Sequence, residues 1–175
     1  MKEKDIINNI KNPFLYKKDY LKIRSLNEDY SKIKNKKIKF KKNTKILIIS
    51  DHTSNFLAEC LPVFFANKNI NSNIEQKEFG SLNFLSKDLD NPVWKKNTDF
   101  FIFMPSSKNL NLPSINDKIN IIKKKAKRDA ENWLKLWSNI NKNIVQTTFE
   151  PTINPNFGEV DAIKFGGYLH YVRLV

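Results

Sequence analysis

Six polar residues stand together where an apolar run stops. Ser50, Asp51, His52, Thr53, Ser54 and Asn55 follow Ile46, Leu47, Ile48 and Ile49. A hydroxyl, a carboxylate, an imidazole and an amide in one turn are the groups that acyl transfer uses. A serine supplies the nucleophile, a histidine takes its proton, and amide donors hold the developing oxyanion. Ser50, Asp51 and His52 are therefore catalytic candidates, with Thr53, Ser54 and Asn55 as candidates for substrate binding. Gly80 joins them, because a residue without a side chain can bring its backbone N–H close to an oxyanion. Ser106, Ser107 and Asn109 form a second polar cluster after a second apolar run and add further donors. A plainer reading stands beside this one. Asp51, Thr53 or Ser54 can cap a helix that starts near Ser54, which needs no ligand. A lone histidine in a polar turn is commonly solvated or bonded to backbone.

Other chemistries lack their signatures. No Gly-x-Gly-x-x-Gly follows the first apolar run, no phosphate-binding Walker loop is present, and no Gly-x-Ser-x-Gly elbow occurs. His52 and His170 show no ligand spacing for a metal, so neither a metal nor another cofactor is expected. Cys60 is the sole cysteine and lies among apolar neighbours, which reads as a small core residue and excludes a disulfide within the chain.

The elements that must position the candidates follow from periodicity. Ile46–Ile49 is apolar without alternation, as in a strand covered on both faces of a parallel sheet. Phe56, Leu57, Cys60, Leu61, Phe64 and Phe65 then recur at helical spacing, with Pro62 inside. Residues 72–79 read as a polar second strand ending at Gly80, and 81–97 as a short helix and loop. The run from Asp99 to Met104 is the third strand. A long helix is expected from about Ser114 to Asn141, with its stripe on Ile115, Ile119, Ile122, Ala126, Ala130, Trp133, Leu134 and Trp137. Asn143–Thr147 gives a fourth strand, and a final helix is expected after Gly166 and Gly167. Upstream, Leu21, Ile23, Leu26, Tyr30 and Ile33 mark one side of a helix over about 17–34, and Asn12-Pro13 breaks what precedes it. Residues 1–43 are thus a basic, partly helical N-terminal extension, with a mobile start, and 44–175 an α/β domain. Alternating strands and helices predict a three-layer α/β/α fold with a parallel, flavodoxin-like sheet. Ligands of such sheets bind past the carboxyl ends of the strands, where the candidate turns lie.

The totals bound the setting. The chain has 175 residues, 40% hydrophobic and 28% charged, enough for one domain with a core. Its net charge of +13 is almost all lysine; Arg24, Arg128 and Arg173 are the only arginines. Base readout and bidentate phosphate contacts favour arginine, and the abundance of Asn, Ile and Lys matches AT-rich codons. Nucleic acid is therefore not the expected partner, although a basic nucleic-acid-binding protein stays open as an alternative. No apolar run approaches the ~20 residues of a membrane helix, and the N-terminus lacks a signal-peptide h-region, so no membrane partner and a cytoplasmic setting are expected.

The stretches "IISDHTSNFL", "EFG", "FFIFMPSSKNL" and "NIVQTTFEP…NFGEVD", in that order, resemble the N-terminal domain of FkbH-type proteins. Those proteins carry an SGNH-hydrolase-like domain followed by a phosphatase domain of the haloacid-dehalogenase superfamily. The likeness covers about residues 40–175. In the SGNH superfamily the first strand ends in Gly-Asp-Ser; here the triplet is Ser50-Asp51-His52, so His52 stands at the nucleophile position. The glycine donor matches Gly80, and the asparagine donor falls near Ser107 or Asn109. The superfamily's Asp-x-x-His element, after a fifth strand, has no counterpart, and His170 has Gly167 three positions before it. The resemblance implies a domain lacking its final strand and inactive alone. It implies a role in binding or positioning a carrier protein, or a small acyl or glyceryl substrate, for a C-terminal phosphatase domain in a longer gene product. An acidic carrier protein suits the lysine-rich surface. An SGNH-type esterase or acyltransferase using Ser50 or Ser54 with His52 is the alternative.

Overall fold

The computed structural model describes residues 3–11, 20–114, 116–149 and 158–175. The Asn12-Pro13 break, Ile115 and much of the Pro-containing loop after the fourth strand lie outside the described residues. The fold is α/β, a four-stranded parallel sheet flanked by helices. Its order is β2-β1-β3-β4, built from β1 (Lys42–Ser50), β2 (Ile70–Gln76), β3 (Phe100–Met104) and β4 (Asn143–Gln146). The helices are α1 (Glu3–Lys11), α2 (Tyr20–Lys37), α3 (Asn55–Asn67), α4 (Ser81–Leu85), α5 (Ile119–Asn139) and α6 (Tyr168–Leu174). The order matches the first four strands of the flavodoxin-like arrangement.

β1 is central because its sequence allows nothing else. Ile46, Leu47, Ile48 and Ile49 are all buried, as are Thr44 and Ser50. β2 pairs with it in parallel from Lys42 opposite Ile70 to Ile48 opposite Gln76. On the other side Asp99 N donates to Lys45 O at 2.9 Å and Asp51 N to Met104 O at 3.1 Å, so both strands ascend together. The polar strands β2 and β4 take the edges, where an unpaired backbone faces solvent. In β3, Phe101 and Phe103 are fully buried while Phe100, Ile102 and Met104 are half-buried, a partial alternation rather than uniform burial.

The chain forms two compact units. The first comprises Met1–Ile48, Thr53–Lys77 and Asn97–Phe101. Its core holds Ile6, Ile10, Leu26, Tyr30, Ile33 and Val63. α1 was not expected from the sequence: its two anchors, Ile6 and Ile10, are one turn apart among Asn and Lys, too few for a clear stripe. α1 and α2 both pack on α3. Asn67 Nδ2 donates to Ile10 O at 3.2 Å, which satisfies a carbonyl at the end of α1. In α2 the buried side is Ile23, Leu26, Tyr30 and Ile33, whereas Leu21 is 69% exposed, so the expected stripe loses its first member. Tyr20 takes the inner place instead, its ring edge-on to Phe56 at 5.8 Å and its hydroxyl donating to Glu59. Tyr30 is fully buried against Phe40, and burial pushes its phenol up to about 12.

The second unit comprises Ile49–His52, Glu78–Lys96 and Ile102–Val175. Its long helix α5 buries Ile122, Ala126, Asp129, Trp133 and Leu136. The expected stripe differs from this one: Ile119, Leu134 and Trp137 are exposed, because the inward series passes through an aspartate that an apolar scan steps around. Trp137 faces β4 instead and donates from Nε1 to Gln146 Oε1 at 3.0 Å. Asp129 is 2% exposed and gathers three donors. Asn111 gives its backbone N–H at 2.7 Å and its side-chain amide, and the fully buried Tyr171 gives its hydroxyl at 2.8 Å. Burial, then the bond to Asp129, holds the Tyr171 phenol far above its ordinary value. Asp161 repeats the device at α6, accepting from Leu169 N at 2.6 Å. Gly167 is obligatory there, since a Cβ would lie 2.0 Å from Asp161 O.

Hydrogen bonds to a buried charged group contribute about 1.5–3 kcal/mol each. Replacing Tyr171 by Phe should therefore lower the unfolding free energy by about that amount in urea titration, with the m-value unchanged. An unaltered midpoint would show that the Asp129 cluster does not hold α6 on α5.

Candidate functional site

At the end of β1 the candidate residues are engaged with one another's backbone. Ser50 is 3% exposed. Its Oγ donates to His52 O at 2.6 Å and accepts from His52 N at 3.1 Å, which closes the turn over two residues. The hydroxyl proton is thereby directed at a carbonyl, not at a side-chain base. Asp51 follows with its backbone held by β3 and its Oδ1 accepting from Asn83 N at 2.9 Å. Asn83 is the third residue of α4, so Asp51 ties down an orphan N–H of that helix. The sequence expectation had Asp51 capping the next helix in the chain, α3. It caps the later one instead, because the end of β1 and the start of α4 meet in space. Asp51 Oδ2 is buried with no hydrogen-bond partner among the described residues.

Gly80 starts α4 with φ +78°, in the left-handed region. An added Cβ there would meet nothing within 4 Å, so backbone conformation rather than space calls for glycine. Its N–H, the oxyanion donor that the resemblance implies, donates to Ser50 O at 3.0 Å. His52 is half-buried in the same turn.

The second cluster leaves β3 at the same end of the sheet. Ser106 and Ser107 are buried. Ser106 N donates to Asn109 Oδ1 at 2.9 Å and Ser106 Oγ accepts from Lys108 N at 3.3 Å, a capping box on the single turn Ser107–Asn109. Asn109 Nδ2 is buried without a partner among the described residues.

Thr53, Ser54 and Asn55 belong to the first unit. Thr53 and Asn55 are exposed and Ser54 is buried. Ser54 occupies the N-cap position of α3 but makes no side-chain cap bond. Its Oγ accepts from Gln76 Nε2 at 2.9 Å, and the same amide lies 3.4 Å from Asn55 Oδ1. Gln76 thus joins the end of β2 to the start of α3, a role the sequence reading missed. Its only signal is a long amide as the last residue of a polar strand. Asn83 was missed as well, since its contribution is a backbone N–H that any residue carries.

The structure therefore brings Ser50, Asp51, His52 and Gly80 into one bonded turn, and sets Ser106, Ser107 and Asn109 in a second turn on the neighbouring strand. Among the described residues no three His, Cys, Asp or Glu side chains converge to hold a metal ion. Cys60 is buried, and its thiol is pushed up by burial and by the charge of Glu59, which makes it a poor nucleophile. His170 is half-buried with its ring 4.7 Å from that of Phe165.

Asp51→Ala should cost about 0.5–2 kcal/mol of stability, the usual value of a lost helix cap. Hydrogen exchange should place the loss locally, with the Asn83 amide losing protection while β1 amides keep theirs. Unchanged Asn83 protection would refute the capping role.

No protein-family model matches the chain. No curated protein matches it. Among solved structures it is similar to the N-terminal part of the protein BF1531 from Bacteroides fragilis, which contains a phosphatase domain and was crystallised with Mg. The TM-score is 0.54 at 13% identity, covering 75% of this chain and 35% of that one. At that identity the likeness establishes the fold alone, and this chain corresponds to about a third of the length of its neighbour.

Proposed function

We propose that the chain is the SGNH-hydrolase-like N-terminal region of a FkbH-type protein. In this reading it binds or positions a carrier protein, or a small acyl or glyceryl unit, for a phosphatase or acyl-transfer domain. The observation that carries the reading is the fold shared with the N-terminal part of a phosphatase-containing protein, over 75% of this chain. The motif order from Ile48 to Asp161 supports the same family.

The hydrogen bonding of the β1 turn supports binding over hydrolysis. Ser50 gives its proton to a carbonyl, the Gly80 N–H is taken by Ser50 O, and His52 occupies the nucleophile position of the SGNH pattern. A turn wired in this way presents a fixed surface. Electrostatics support an acidic partner. The exposed side of α5 carries Lys123, Lys124, Lys127 and Lys135, and the chain as a whole carries +13. Opposite charge speeds encounter and sets orientation, and added salt weakens it.

The test is a titration of the purified chain with an acidic carrier protein bearing its phosphopantetheine arm. Saturable binding with Kd on the order of micromolar is expected, as for a transient interface. It should weaken about tenfold when salt rises from about 50 to 300 mM, and weaken further in a Lys123→Glu, Lys124→Glu double variant. Absence of binding at low salt, or equal binding to DNA of the same charge, would overturn the reading.

A further inference from the structure

The second unit contains a cavity of about 290 Å³ that none of Ser50, Asp51, His52 or Gly80 lines. It lies where the end of α4, the turn after β3 and the C-terminal half of α5 come together. Its wall contains two cations, Lys87 and Lys135, and no carboxylate. Asn109 and Asn132 add amide groups, and Trp133 and Leu136 give an apolar side.

Two observations assign this cavity a ligand class. The ammonium groups lack counter-charge. Lys87 Nζ donates to the neutral Asn83 Oδ1 at 3.1 Å, and Lys135 makes no ion pair among the described residues. The nearest acid in sequence, Asp88, accepts from Asn91 at 2.9 Å. Second, the wall sets Leu89, Trp133 and Leu136 beside its polar residues, which suits a ligand with one charged and one apolar end.

We propose that this cavity binds a small organic anion, its carboxylate or phosphate monoester held by Lys87 and Lys135, and its apolar part resting on Trp133. The site does not depend on the carrier-protein reading. It needs neither an acidic protein partner nor a phosphatase domain.

Phenyl phosphate, benzoate and benzyl alcohol test it on the full chain. The indole N–H signals serve as readout, with Trp133 in the cavity wall and Trp94 and Trp137 outside it as internal controls. Saturable movement of the Trp133 signal is expected with at least one of the two anions and not with the alcohol. Phenyl phosphate alone would mark a phosphate-ester site, benzoate alone a carboxylate site, and both a general anion site. Lys135→Gln should weaken binding about tenfold. Lys135 lies on the exposed side of α5, so this variant should fold as the parent does. Asn109→Asp keeps the acceptor for Ser106 N while adding a negative charge to the wall, and should abolish binding. The proposal fails if neither anion moves the Trp133 signal at millimolar concentration. It also fails if the alcohol binds as well as the anions, or if both variants bind as the parent does.

Discussion

Ile46, Leu47, Ile48 and Ile49 are each no more than 2% exposed, and a strand can bury four consecutive side chains only if it is covered on both faces and paired on both edges. That requirement puts β1 in the interior of the sheet and leaves the edges to the polar strands β2 and β4. It also fixes where polar chemistry can begin. The first residue past the buried run that can turn is Ser50, and the strand end must satisfy its backbone without water. The bonds from Asp51 N to Met104 O and from Gly80 N to Ser50 O do this. The turn, the start of α4 and the end of β3 are therefore built around the termination of one hydrophobic strand.

Much of this was legible in the sequence because it depends on local pattern. The β1 and β3 runs, the helix over Phe56–Phe65 and the final helix after Gly167 are apolar at the spacing their elements need. The order of these segments sufficed for the fold class. What stayed hidden depends on partners distant in sequence. Asp129 breaks the apolar stripe of α5, and its burial makes sense only once Asn111 and Tyr171 are beside it. Leu134 and Trp137 were placed inward by the same counting, although the helix turns its Asp129 side to the core. α1 rests on two isoleucines that count only because α3 lies against them.

The candidate site was legible as a set of positions but not as a set of bonds. Ser50, Asp51, His52 and Gly80 do meet at one strand end. Composition gave no means of knowing that the serine hydroxyl would bond the His52 carbonyl, that Asp51 would cap α4 rather than α3, or that the Gly80 N–H would serve the backbone. Side chains able to do chemistry are equally able to satisfy a turn, and burial decides between these uses: a polar group removed from water takes the nearest partner. In this turn the nearest partners are backbone atoms. Asn109 Nδ2, buried without a partner among the described residues, lies in the turn after the neighbouring strand and outside these bonds.

The central claim is that the β1 turn is a hydrogen-bonded scaffold and not a working nucleophile. Intact-mass analysis after exposure to a fluorophosphonate tests it directly, because that reagent captures activated serines without needing the natural substrate. The account predicts an unmodified chain at reagent concentrations that label an SGNH esterase to completion. A stoichiometric adduct mapped to Ser50 or Ser54, and lost in the matching alanine variant, would contradict it and restore an acyl-transfer site at the end of β1.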